Sequence, residues 1–155
     1  MSMRILPNVG FLSNVSGDLR TMLSEQATEL TLAPGEVLFE QGAAQLSDEG
    51  RREIAKVANI LRDVADDIPD GIDWVIRVDG HTDNVPLSGQ GAFANNWELS
   101  QARALSVVLY MVNFLGIPPE RLAANGFGQY QPINPEDTDA ARAQNRRIEL
   151  KLTER

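Results

Sequence analysis

The chain has 155 residues, 43% of them hydrophobic, with a formal charge of −8 and no cysteine. That length favours one domain with a core of its own. The acidic balance argues against nucleic acid and against anionic lipid surfaces as partners, and the missing thiols exclude disulfides and cysteine-based zinc sites. No run reaches the roughly 18–20 apolar residues that span a bilayer, and the opening M-S-M-R-I-L-P lacks a signal-peptide core. We read the chain as a soluble piece of a longer protein.

Residues 11–27 carry Leu12, Val15, Leu19, Met22 and Leu23 at spacings of three and four, which predicts a short helix weakened by Gly17. Residues 29–32 alternate as an edge strand does, Pro34-Gly35 is a turn, and residues 37–39 (Val-Leu-Phe) predict a second short strand. Ser47 opens a helix whose first turn holds Asp48 and Glu49. Ile54, Val57, Ala58, Leu61, Val64 and Ala65 form its apolar stripe, and it stops before Pro69-Asp70-Gly71.

Residues 74–78, W-V-I-R-V, make the clearest strand, apolar on nearly both faces and therefore expected under helices. Asn95 caps a long helix, with Glu98 three residues on in the capping-box position. Gly116 and Pro118 end it. A short strand at 121–126, a helical turn or two at 138–146 and an alternating strand at 148–152 complete the chain. The predicted fold is an α/β two-layer sandwich. Its mixed sheet has about four strands in the order β-α-β-α-β-β, two main helices lie on one face, and a short N-terminal helix precedes it. Residues 1–28 form an extension and residues 29–155 the domain.

Between strand and second helix lies V-D-G-H-T-D-N-V-P and a Gly/Ser-rich loop, with Asp83 and Arg103 at the two ends. If the fold brings them together, they make a cleft with one fixed anion and one fixed cation, suited to a ligand carrying an ammonium and a carboxylate on one carbon. Asp79, His81 and Asp83 alternate, so an extended backbone aims them to one face. That pattern fits a metal or acid/base cluster, and it also fits a turn in which Asp and Asn cap backbone amides. His81 is the only histidine, and no second ligand pair stands at metal spacing. The glycines near residues 88–91 match no phosphate-binding loop. Arg103 shares a helical stripe with Asn96 and Leu99, where it is either a structural ion-pair partner or an anion receptor. In Asn145-Arg146-Arg147, one arginine is expected to pair with an acid at the sheet edge.

Five pieces then stand in order: V-L-F-E-Q-G-A-A-Q-L at 37–46, V-D-G-H-T-D at 78–83, N-W-E-L-S-Q-A-R-A at 96–104, G-I-P-P-E-R-L-A-A-N-G-F-G at 116–128, and N-R-R-I-E at 145–149. Each alone is weak. Together the chain from Glu29 onward resembles the OmpA-like C-terminal domain family, and its long loop at 84–95 is most similar to the MotB-type branch. Met111 and Ile148 are mild departures from the family's usual Leu and Val. The resemblance implies non-covalent binding of the diaminopimelate residue in the peptidoglycan stem peptide, without catalysis, metal or cofactor. It implies that Asp83 takes the ligand ammonium and Arg103 its carboxylate, with Thr82, Asn96 and Leu99 lining the site. It further implies a periplasmic wall anchor of a Gram-negative cell, tethered to a membrane through the parent protein. A flagellar stator role and homodimerisation, with residues 11–27 as a candidate contact, belong to the same expectation. The competing functions are a metal-dependent hydrolase using Asp79, His81 and Asp83, and a dimerisation scaffold with an empty cleft.

Overall fold

A computed structural model describes residues 2–5, 28–33, 38–39 and 43–155. The expected α/β sandwich is the fold observed. The elements run β1 (Ser2–Ile5), β2 (Thr28–Ala33), α1 (Asp48–Asp66), β3 (Trp74–His81), α2 (Asn96–Leu115), a 3-10 turn at Pro119–Arg121, β4 (Leu122–Gly126), α3 (Asp139–Asn145) and β5 (Arg147–Glu154). The sheet order is β1-β2-β5-β3-β4. Only β3 and β4 are parallel, joined by the α2 crossover, and the other neighbours are antiparallel. No described helix is long and apolar enough to cross a membrane.

The helices start and stop where the side chains direct. Ser47 Oγ accepts from Gly50 N at 2.9 Å to open α1. At α2 the cap is held from both sides: Asn95 Oδ1 accepts from Glu98 N at 3.0 Å, and Glu98 Oε2 reaches one residue past the cap to accept from Ala94 N at 2.6 Å. Gly116, at φ 68°, takes the left-handed C-cap that costs other residues strain. Ile54, Val57, Ala58 and Leu61 of α1 and Ala104, Val107 and Met111 of α2 pack into one core with Ile76 and Val78 of β3 and Ile148, Leu150 and Leu152 of β5. Each large aliphatic among them contributes about 1.5–3 kcal/mol of burial.

Three expectations change, and a fourth is not reached. The sheet has five strands, because Ser2–Ile5 pairs with β2, a contact too short and too distant in sequence to be legible. Residues 38–39 form no strand, only a single bridge from Phe39 to Leu46. The predicted helix at 11–27 lies outside the described residues. Finally, β3 is not apolar on both faces. Ile76, Val78 and Gly80 face the helices, while Arg77, Asp79 and His81 lie on the opposite face beside Arg147, Glu149 and Lys151 of β5.

On that outer face the register sets like charges directly opposite each other, Arg77 against Lys151 and Asp79 against Glu149, which alone would repel. The side chains resolve this along the strands. Arg77 Nη2 meets Asp79 Oδ2 at 2.9 Å, and Arg147 Nε meets Glu149 Oε1 at 2.7 Å. Lys151 Nζ lies 3.7 Å from Asp79 and 3.4 Å from Glu149. Asn125 Nδ2 donates to Asp79 Oδ1 at 3.1 Å.

Candidate ligand-binding site

The site is built where β3 ends. Gly80 and Gly126 let the two parallel strands approach α2 so closely that a Cβ at Gly80 would stand 2.3 Å from the Ser100 carbonyl oxygen, and one at Gly126 2.5 Å from Gln101 N. Ser100, buried in that slot, accepts from Gly128 N at 3.0 Å through Oγ. Gly128 O in turn accepts from Thr82 N at 2.9 Å. The strand end, the loop after β4 and the first turn of α2 are therefore fixed to one another.

Asp83 leaves this frame as a turn residue. Its Oδ1 accepts from Val85 N at 3.0 Å, and its Oδ2 accepts from Arg146 Nη1 at 2.7 Å. The carboxylate keeps 14% exposure, enough to meet a ligand at its rim. Buried Thr82 donates its hydroxyl to Asp83 O at 2.9 Å. Buried Asn96 Nδ2 reaches Asp83 O at 3.4 Å, Val85 O at 3.1 Å and Gln129 Oε1 at 3.1 Å. The Thr82 hydroxyl and Asn96 Nδ2 thus hold the backbone of the Asp83 turn.

The structure brings Thr82, Asp83 and Asn96 together and sets Leu99 and Arg103 along the same face of α2. Arg103 lies seven residues beyond Asn96, about 10 Å along the axis. Its Nε donates to Ala43 O at 3.1 Å, and its guanidinium covers the Phe39 ring at 5.1 Å, a cation–π contact of about 0.5–2 kcal/mol. No ion pair joins Asp83 to Arg103. The cation on Asp83 is Arg146, at the C-cap of α3.

Two site expectations are corrected. His81 lies not in a turn but at the end of β3, 4% exposed. It stacks on Phe127 at 5.1 Å, with Nε2 3.5 Å from Glu149 Oε2. Asp79, His81 and Asp83 do not converge: Asp79 is enclosed by Arg77, Lys151 and Asn125, while Asp83 turns away to Arg146. Among the described residues no group of three or more His, Asp or Glu side chains is placed to hold a metal. Burial raises the Glu149 pKa, but the neighbouring His81 ring and the Arg147 guanidinium outweigh it and hold Glu149 well below the usual carboxylate range.

Sequence reasoning missed Ser100, Gln129 and Asn145. Asn145 Oδ1 accepts from Ile133 N and Asn134 N at 2.9 and 3.0 Å, folding the loop back beside Arg146 and Arg147. Its place ahead of the double arginine was the available signal.

Residues 38–146 match the OmpA family. The chain belongs to that family of non-enzymatic, peptidoglycan-binding domains. A MotB-like protein from Desulfovibrio vulgaris superposes with a TM-score of 0.75 at 29% identity, over 95% of this chain and 96% of that one. The periplasmic domain of Helicobacter pylori MotB gives 0.70 at 27% identity, over 84% and 75%. The cell wall anchor of the type VI secretion system from Pseudomonas aeruginosa gives 0.66 at 28%, over 83% and 82%. Curated relatives are longer: the chain spans 43% of YtxE from Bacillus subtilis, with 31% identity over 74% of this chain.

Proposed function

We propose that the domain binds peptidoglycan non-covalently through the diaminopimelate residue of the stem peptide and so anchors a larger protein to the cell wall. Asp83 takes the ligand ammonium and Arg103 the ligand carboxylate. Thr82 and Asn96 position the Asp83 turn, and Leu99 supplies the apolar floor between the charges. The observation that carries this is Asp83 itself. It is a carboxylate fixed by Val85 N and Arg146, kept partly open at a strand end, and backed by a face of α2 that leads to Arg103.

The likeness to MotB periplasmic domains and to a cell wall anchor supports placing the parent protein at the wall, outside the cytoplasmic membrane, with a stator-type protein as the specific assignment. A periplasmic site in a Gram-negative cell is the matching compartment. Self-association of the domain is supported by Leu109 and Phe114, which stand exposed on α2, and sedimentation velocity would test it.

The deciding experiment is a pull-down with insoluble peptidoglycan, repeated in excess free diaminopimelate. Asp83→Ala should stay in the supernatant while its circular dichroism matches wild type. Undiminished pull-down by a folded Asp83→Ala protein would refute the proposal.

A further inference from the structure

Trp97 and Tyr130 stack with ring centroids 4.8 Å apart and planes at 28°, yet remain 50% and 60% exposed. Neither belongs to the buried hydrophobic core. Large aromatic rings held rigid and half in water are the side chains that most often anchor a partner. We propose that this pair is a saccharide subsite, stacking on a pyranose ring of the glycan strand while the Asp83–Arg103 site holds the stem peptide. It rests on the peptidoglycan reading above and extends it to the sugar backbone.

The subsite is continuous with the Asp83 turn. The residue before each ring takes part in one hydrogen bond, Asn96 Nδ2 to Gln129 Oε1 at 3.1 Å, and the same amide reaches Asp83 O. The aromatic stack therefore begins one residue outside the contact that holds the peptide site. Gly128 sits under the pair at φ 62°, where a Cβ would crowd Tyr130 Cδ2 at 3.3 Å and touch Trp97 Cδ2 at 3.5 Å. The bonds from Gly128 to Ser100 and Thr82 fix that glycine in turn. The rings are thus pre-organised, and binding spends little entropy to order them.

The chemistry around the rings selects the occupant. From Trp97 an open groove of about 590 Å³ runs along α2, lined by Phe93, Glu98, Gln101 and Leu105 among others. A pyranose presents a C–H face, which an aromatic ring takes, and a rim of hydroxyls and amides, which Gln101 and Glu98 can meet. Nucleic-acid bases also stack on aromatics, but the net charge of −8 and Glu98 in the groove oppose a phosphate backbone.

The test uses three probes on the whole chain: purified sacculi, a glycan-free stem peptide containing diaminopimelate, and the β-1,4 tetramer of N-acetylglucosamine. Trp97→Ala and Tyr130→Ala should each weaken sacculus binding about tenfold, the scale of one lost aromatic contact. Both should bind the stem peptide as wild type does, and the tetramer should shift the Trp97 indole resonance of wild type. If sacculus affinity is unchanged in both variants, or stem-peptide affinity falls in parallel, the subsite does not exist. Tyr130→Ala decides the matter if Trp97→Ala misfolds, since its ring is the more exposed. Failure of wild type to bind the stem peptide, with the tetramer still shifting the indole, would refute the peptide reading and leave the saccharide subsite standing.

Discussion

Arg146 Nη1 donates to Asp83 Oδ2 at 2.7 Å, joining the end of β3 to the C-cap of α3 across 63 residues of sequence. The carboxylate proposed to receive a ligand ammonium is thus already neutralised by a resident guanidinium. The pair is partly screened, with 26% of the Arg146 side chain exposed. We expect it to stabilise the fold by about 1 kcal/mol, below the usual range for a charge-assisted bond. A double-mutant cycle with Asp83→Asn and Arg146→Gln, read by urea denaturation, should give a coupling energy of at least about 0.5 kcal/mol. Additive single effects would show that the contact contributes nothing to stability.

The close approach of β3 to α2 predicts a larger effect at Gly80. An alanine there places its methyl carbon 2.3 Å from a backbone oxygen of α2, which no side-chain rotation can relieve. Gly80→Ala should cost about 3 kcal/mol and lower the melting temperature by about 6–12 °C for a domain of this size. Gly91→Ala, with open space around it, should leave the melting temperature within a degree or two. Equal effects of the two would contradict the packing.

How much of this was legible depends on whether the signal was local. The caps of α2 are written within a few residues, Asn95 with Glu98 at one end and Gly116 at the other, and the helix runs between them. The charged face of β3 was hidden because D-G-H-T-D reads as a turn. Its polar residues continue the strand only because β5 supplies Arg147, Glu149 and Lys151 opposite. That Asn96, Leu99 and Arg103 share one face of α2 could be read from their spacing. That Arg146, and not Arg147, meets Asp83 could not, since adjacent residues diverge there: Arg147 begins β5 and joins the sheet face, while Arg146 closes α3.

Glu149 makes acid stability a test of that sheet face. Its carboxyl titrates below the usual range in the fold, against about 4.3 in an unfolded chain. The stabilisation is therefore fully present above that unfolded value and is lost as pH falls toward the folded one. Glu149→Gln should cost about 3 kcal/mol at pH 7, because Arg147 is left buried without its anion. The penalty should stay constant from pH 7 to about pH 5 and shrink only below that. Denaturant midpoints of the two proteins should therefore run parallel down to about pH 5 and draw together between about pH 5 and pH 3, and curves that stay parallel throughout would rule out Glu149 as the titrating group.

Arg103 separates receptor from scaffold. Its Nε bond to Ala43 O and its seat over Phe39 leave a structural role that any substitution disturbs, so stability alone cannot decide. Arg103→Lys keeps the charge but loses the planar fork that grips a carboxylate through two parallel bonds. If Arg103 holds the ligand carboxylate, lysine should weaken binding of the stem peptide by about tenfold and alanine further, matching the loss of a charged hydrogen bond. Free diaminopimelate should raise the melting temperature of wild type by mass action and barely move that of either variant. If Arg103 only ties α2 to Phe39 and Ala43, both variants should melt lower without ligand and still gain the wild-type increment when it is added. The size of that increment across the three proteins is therefore the measurement, and a full increment in Arg103→Ala would end the assignment of Arg103 as the carboxylate receptor.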